Sequence, residues 1–377
     1  MFFREEILNQ KGSLIRAMQQ KARPDSINLG IGMPYCFTPE VIKKYAIESI
    51  TNNKTFYSSN YGINELRDSI ASHYNKKHRN PITSKNVLVT VGVAEAIFIS
   101  LFSIIKSDDE VIIPDPGYPG YFITLKMLSS KIVTYPLFFS NKFSFSANDI
   151  IEKVTENTKA IILNSPSNPT GGINSSQELQ KIAEYCKNKN ICVISDEVYS
   201  NLNYSNLKID SISNYLSLDN CFVLDGVSKE FSMTGWRIGW IISSEQNINN
   251  LVKVHQVVTS CASTVSQYAA LKALSSDTNE VILALSENRK IMQSKLSEIK
   301  QIEYYTPDSG LYFFVDFSKY GNDILLAEKI LEYANVITVP GSAFGENGKG
   351  FLRLSFGAEP EKIIIGLEKI KKYLETI

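Results

Sequence analysis

The sequence predicts an α/β protein. A large domain is expected around a mostly parallel, seven-stranded sheet covered by helices. A smaller α+β domain is expected from the C-terminal part together with the N-terminal segment. Three observations predict this. Short β-rich runs alternate with helical stretches from about residue 85, several of those runs are apolar at nearly every position, and the last hundred residues change character. Strands alternating with helices argue for crossover units and a parallel sheet. Runs that are apolar throughout suit strands covered on both faces.

The elements follow in order. VLVTV (87–91) reads as the first strand of the sheet, and AEAIFISLFSIIK (94–106) follows with helical spacing. EVIIP (110–114), KIVTYPL (131–137), KAIILN (159–164), ICVISD (191–196), CFVLD (221–225) and RIGWIIS (237–243) are the remaining six strands. SQELQKIAEYCKNKN (176–190) is a helix between two of them, and a long helical stretch covers about 247–300. LYFFVDF (311–317), VITVP (336–340) and FLRLSF (351–356) are strands of the smaller domain, which ends in a helix. The expected limits are 1–45 for an N-terminal arm and part of the small domain, 46–280 for the large domain and 281–377 for the small one. The opening MFFREEILNQKGS has too short an apolar stretch for a signal peptide and turns acidic at once, so it reads as an ordinary first helix.

Composition narrows the function classes. Lys+Arg and Asp+Glu are equal at 39 each, so no basic excess points to nucleic acid. No apolar run reaches the roughly 18 residues that span a bilayer. Cys36, Cys186, Cys192, Cys221 and Cys261 are odd in number and contain no CxxC pair, which fits small buried side chains in a reducing cytoplasm. None of His73, His78 and His255 lies near a useful cysteine or carboxylate motif, so neither a metal site nor a His-centred site is expected.

The chemistry concentrates where ligands sit in such sheets, at the carboxyl ends of the strands. SKEFSMTGWRIGW (228–240) places Lys229 just after strand CFVLD. Alone, a lysine there is a solvated charge. Here Ser228, Thr234, Gly235 and Trp236 wrap it, and Arg237 supplies a second cation that favours the neutral amine a Schiff base needs. In ICVISDEVYS, Asp196 ends an apolar strand, either as the cap of a following helix or as a buried carboxylate in need of a partner. NSPSNPTGG (164–172) is a loop that presents Asn164 and Asn168. VTVGVAEAIFISL joins a strand to a helix through Gly92, Val93 and Ala94, whose free N–H groups make an anion site. An inward Arg353 in the apolar run FLRLSF needs an anion.

Taken together, VTVGVAEA, DPGYPGY, NSPSNPTGG, ICVISDEVYS and SKEFSMTGWRIG resemble, in that chain order, the motifs of the class I/II, fold-type I aminotransferases of the aspartate aminotransferase type, over roughly residues 28–357. The resemblance implies pyridoxal 5′-phosphate (PLP) as cofactor. It assigns Lys229 to the Schiff base, Arg237, Ser228 and the backbone of Val93 and Ala94 to the phosphate, and Asp196 to the protonated ring nitrogen, where it keeps the ring an electron sink. Tyr199 and Asn168 match the residues that bond the phenolic oxygen, and Tyr118 the aromatic that stacks on the ring, a position where many relatives carry Phe or Trp. Arg353, Asn164, Asn168 and the backbone N–H of Gly32 match the residues that hold the substrate α-carboxylate. INLGIGMP departs mildly from the family here: Met33-Pro34-Tyr35 stand where an acid and an aromatic usually follow. In TFYSSNYGINELR, Tyr57 matches a tyrosine that reaches the neighbouring subunit's phosphate, which implies a homodimer with active sites at the interface.

The implied reaction is transamination between an L-amino acid and a 2-oxo acid by a ping-pong mechanism, with Lys229 carrying the Cα proton. Two other readings stay open: a different PLP reaction on the same fold (β-elimination, cyclisation or amine oxidation), and a non-catalytic sensor domain. Against the sensor stand the lack of a basic helix-turn-helix extension and the presence of Lys229, Asp196, Tyr199 and Arg353 together. Tyr35, Phe37 and the other aromatics suit an apolar or aromatic substrate side chain.

Overall fold

The computed structural model describes residues 2–8, 10, 12–205, 207–277 and 279–377. After short helices at Glu5–Leu8 and Leu14–Gln20, the chain forms a two-residue strand, β1 (Ile27–Asn28), and then a helix, Glu40–Thr51. Seven strands of one sheet follow: β2 (Val87–Thr90), β3 (Glu110–Asp115), β4 (Lys131–Pro136), β5 (Thr158–Asn164), β6 (Cys192–Asp196), β7 (Cys221–Gly226) and β8 (Gly239–Ile242). Their order is β2-β8-β7-β6-β5-β3-β4. Only β8 runs antiparallel to its neighbours among these strands. All seven coincide with the expected runs to within two residues at either end.

Strict alternation explains why both faces are apolar. Val89, Ile112, Ile161, Val193 and Val223 point into one buried cluster, and Leu88, Val111, Ile162, Ile194 and Leu224 into another. The second cluster is covered by the helix Gly92–Ile104, which buries Ala96, Ile97, Ile99 and Leu101. The first is closed in part by Glu40–Thr51 packed on Thr264–Leu274. At roughly 25 cal/mol per Å² of apolar surface, these two layers carry most of the drive to fold.

The second sheet comes from the C-terminal part. It contains β9 (Glu303–Tyr304), β10 (Tyr312–Asp316), β12 (Val339–Pro340) and β13 (Phe351–Ser355), antiparallel in the order β12-β13-β10-β9. The intervening β11 (Val336–Ile337) pairs parallel with β1, so the N-terminal segment joins this layer. A third apolar cluster fills it, including Leu29, Phe313, Leu352 and Ile363 of the last helix, Pro360–Leu374.

Two expectations need correction. The stretch 247–300 is not one helix but three: Glu245–Val258, Thr264–Leu274 and Asn279–Leu296. The first break comes where Ser260 turns to φ 62° and Ser263 caps the next helix by accepting from Ser266 N–H. The cysteines are all free, but only Cys186 and Cys221 are fully buried; Cys36, Cys192 and Cys261 are half-buried. Among the described residues, no helix is long and apolar enough to cross a membrane, and no three His, Cys, Asp or Glu side chains are grouped to hold a metal ion.

Candidate active site

Strands β5, β6 and β7 are neighbours, so their carboxyl ends open side by side. Register pairs Asn164 with Asp196 directly. The loop after β7 brings Lys229 to the same place, and β13 of the second sheet delivers Arg353 from the other side. Between them lies a cavity of about 290 Å³, lined by Gly32, Val93, Ala94, Tyr118, Asn164, Asn168, Asp196, Tyr199, Ser228, Lys229, Arg237 and Arg353, among others. Every site residue expected from the sequence except Tyr57 therefore meets in one hollow.

Asp196 is buried at the floor. Tyr121 Oη donates to its Oδ2 at 2.6 Å, and the Val198 N–H approaches Oδ1 at 3.3 Å. Burial pushes the carboxyl up to about 6, against the pull of those two bonds and of Lys229. Lys229 Nζ donates to the Gly32 carbonyl at 2.7 Å and lies 5.9 Å from the centre of the Tyr199 ring. Burial pushes its ammonium down; Tyr312 and Asp196 pull the other way, while Arg353 and Arg237 add to the lowering. Gly32 thus offers its carbonyl to this amine; its N–H is the group that the sequence assigns to the substrate carboxylate. Asn164 uses both ends of its amide: Nδ2 donates to the Asp196 carbonyl at 2.9 Å, and Oδ1 accepts the Asn168 N–H at 2.8 Å.

Arg353 is only 3% exposed. Its guanidinium donates to Asn168 Oδ1 at 2.9 Å and to the Gly30 carbonyl at 2.6 Å. It lies 4.2 Å from the centre of the Tyr312 ring and 4.8 Å from that of Phe344. Its Nε is buried without a partner among the described residues. A buried cation with a free donor and only neutral partners is a receptor for an anion. At the other end, Arg237 is exposed and sits at φ 56°, with one nitrogen donating to the Thr234 carbonyl at 3.1 Å. Gly92, at φ +73°, lies so close that a Cβ there would stand 2.5 Å from the Arg237 guanidinium. The start of helix Gly92–Ile104 and this guanidinium therefore face one spot, and both favour negative charge.

Sequence reasoning missed several residues that line the cavity or stand behind it. Tyr312 Oη bonds Tyr199 Oη at 3.0 Å and packs where any Gly32 side chain would go. The sheet register places it: Phe314 pairs with Arg353, so alternation puts Tyr312 on the same face of β10, a pairing that only the fold supplies. Tyr121 lies three residues after Tyr118, on one face of the helix Pro119–Met127, and meets its ring edge-on. Ile15 carried no local signal, because it arrives from the N-terminal helix. His255, which the sequence separated from every carboxylate motif, bonds Glu95 at 2.9 Å. Tyr35 and Phe37 do not line the cavity, and Phe37 is 89% exposed. Tyr57, also 89% exposed, lines a separate hollow with Phe56, Cys261 and Thr264.

Comparison with known proteins agrees with this geometry. The family model described as aminotransferase class I and II matches residues 24–370. A protein of Methanocaldococcus jannaschii named "Probable aspartate aminotransferase" is 36% identical over 376 residues, covering 97% of this chain and 98% of its own. One of Aquifex aeolicus, "Probable aspartate/prephenate aminotransferase", is 36% identical over 364 residues, covering 94% and 92%. The crystal structure of an aspartate aminotransferase from Thermotoga maritima superposes with a TM-score of 0.94 at 31% identity, covering 99% of this chain and 100% of that one.

Proposed function

The chain belongs to the class I and II aminotransferases, and from that premise we propose that it moves an amino group between an L-amino acid and a 2-oxo acid by a ping-pong mechanism on PLP anchored at Lys229. The observation that carries this reading is a single cavity joining a lysine of lowered proton affinity, a buried carboxylate and a buried arginine with an unpaired Nε.

The lining fits such a cofactor. Arg237, Ser228, Val93 and Ala94 would hold its phosphate, where an exposed guanidinium and an uncapped helix start converge. Asp196 would face the ring nitrogen, Tyr199 and Asn168 the phenolic oxygen, and Tyr118 the ring face. Arg353 would take the α-carboxylate in its planar fork, with Asn168 as its neighbour. Asn164 acts through its two amide bonds, holding Asn168 and the end of β6 in register. When bound, PLP supplies a carbonyl that captures amines and a ring that withdraws electrons from the substrate Cα.

The remaining work falls to this chain's own groups. Lys229 Nζ, disfavoured as an ammonium by burial, accepts the Cα proton and returns it. Arg353 and the Asn168 amide fix the carboxylate so that the proton faces that nitrogen. L-Aspartate is the first amino donor to test, given the names of the relatives. The loaded protein should be reduced with borohydride and digested; the pyridoxyl label is expected on Lys229, and a label on another lysine overturns the assignment. Conversion of the bound cofactor to its pyridoxamine form by an amino acid supports transamination. Release of ammonia with no such conversion would point instead to elimination.

The assembly we propose is a two-fold homodimer, supported by the exposed Phe56 and Tyr57 beside their hollow. The domain limits 1–45, 46–280 and 281–377 carry over as proposals. The last is supported by Ala273 packing in a cluster of the large sheet while Val281 and Leu285 pack with the small one. Five unpaired cysteines suit the cytoplasm, the compartment we propose.

A further inference from the structure

We propose that Glu95 and His255 are a positioning pair that holds the Val91–Ala94 turn in its anion-binding shape, an inference that rests on the reading that this turn takes the cofactor's phosphate. Helix Gly92–Ile104 begins at Val91 with no side-chain cap. Its first N–H groups are free for a ligand only if the turn itself is fixed by something else. The fixing comes from behind. Glu95, in the first helical turn, folds back so that Oε2 accepts the Val91 N–H at 2.5 Å. Its Oε1 accepts from His255 Nδ1 at 2.9 Å and from Thr259 Oγ1 at 3.0 Å. A carboxylate can only accept, so Nδ1 carries the proton of that bond.

His255 and Thr259 lie one helical turn apart, at the end of helix Glu245–Val258. Together they clamp one carboxylate oxygen and leave the other for the turn. From the opposite side the turn is pressed by Arg237 against Gly92, and by Gly239, where a Cβ would stand 2.7 Å from Val93 N. The acidic group thus sits behind the turn with its charge spent on three donors, while Arg237 faces its front.

The energetics argue against a merely structural pair. His255 is fully buried and the Glu95 side chain is 8% exposed, between helices that otherwise pack Ile97, Leu251 and Val252. An apolar pair would avoid that desolvation. His255 Nε2 also lies buried without a partner among the described residues. Burial works against the Glu95 carboxylate, yet the bonds from His255, Val91 and Thr259 outweigh it and keep it ionised. Among the described residues, the one backbone group that this carboxylate holds belongs to the turn itself.

The test compares two probes on the unloaded protein: pyridoxamine 5′-phosphate and pyridoxamine. Neither bonds covalently to Lys229, and the ratio of their dissociation constants isolates the phosphate's contribution. Glu95→Ala should shrink that ratio about tenfold or more, as expected for losing a hydrogen bond to a charged group. Glu95→Gln, whose amide oxygen still accepts the Val91 N–H, should recover most of it. Thr259→Val, which removes one clamp and is the variant safest for folding, should shrink the ratio by a smaller factor. A merely structural pair would weaken both probes alike; an unchanged ratio in Glu95→Ala and Thr259→Val overturns the inference. Arg237→Ala runs alongside. If it too leaves the ratio at the wild-type value, the phosphate reading itself falls; if it shrinks the ratio and the Glu95 variants do not, only the positioning pair falls.

Discussion

The two arginines of the pocket stand at opposite ends and are held in opposite ways. Arg353 is buried in the middle of β13, stacked against Tyr312 and Phe344 and bonded to two neutral oxygens. Arg237 is exposed, follows a short turn and has one backbone carbonyl for a partner. Holding Arg353 costs desolvation that its neutral partners only partly offset, so the guanidinium keeps capacity for an anion, which we propose is the substrate carboxylate. Holding Arg237 costs little, and its field is screened by water and salt. One end is built for geometry in a dry setting, the other for attraction in a wet one.

The sharpest way to break this contrast is Arg353→Met. Catalytic efficiency should fall by on the order of a thousandfold, in the range found when one side of a buried charge pair is removed. The unloaded protein should melt no lower than wild type, since an unpaired buried charge has gone. A drop of several degrees with an unchanged KM would make Arg353 a structural cation instead.

Asp196→Asn asks whether the floor of the pocket behaves like the dry end. Burial raises the folded carboxyl to about 6, above its ordinary value near 4. Between those values the native state keeps a proton that the unfolded chain has released. Stability of the unloaded protein therefore falls as pH climbs through that window and levels off above it. The variant should lack this slope and be more stable at pH 8 by up to about 3 kcal/mol, while transaminating poorly. Glu197, pushed up to about 7 by burial first and in smaller part by the neighbouring Asp196, bends the wild-type curve as well and loses the Asp196 part of its rise in the variant. Parallel urea titrations from pH 4 to 8 would show it; superimposable curves would mean the carboxyl is not perturbed.

Arg237→Ala should weaken cofactor binding by about tenfold, with the deficit shrinking as salt is raised and with melting within about 0.5 kcal/mol of wild type. A deficit indifferent to salt would make this end as dry as the other. The smallest effect is expected from Tyr57→Phe, a loss of a few-fold at most for one exposed hydroxyl. In a mixed dimer with Lys229→Ala, the one site that keeps its lysine should turn over at the wild-type rate, because its Tyr57 comes from the other chain. A rate that stays at the Tyr57→Phe level in that site would confine Tyr57 to its own chain.

What the sequence showed and what it hid divide along the same physical line. Lys229, Asp196, Asn168 and Arg237 were legible because each sits within a few residues of a strand end, where local pattern and motif coincide. Most of the seven strands were legible because burial on both faces leaves a nearly unbroken apolar run; β4, at the edge and only half-buried, was legible from its β-rich composition instead. The break at Ser260 was not, because neither Gly nor Pro marks it and a serine takes the left-handed turn. Tyr312, Ile15 and the His255–Glu95 bond were hidden because they exist only once distant segments meet; that last pair is 160 residues apart.

Such distances have a kinetic side. Lys229 reaches Gly32 across 197 positions, and Arg353 reaches Gly30 across 323. Contacts of that separation carry the largest loop-closure cost and form after local structure is in place. The pocket is therefore a late product of folding, complete only when the two ends of the chain have docked. In a refolding experiment, backbone signals should recover ahead of cofactor capture, and the lag between them would time the closing of the chain on itself.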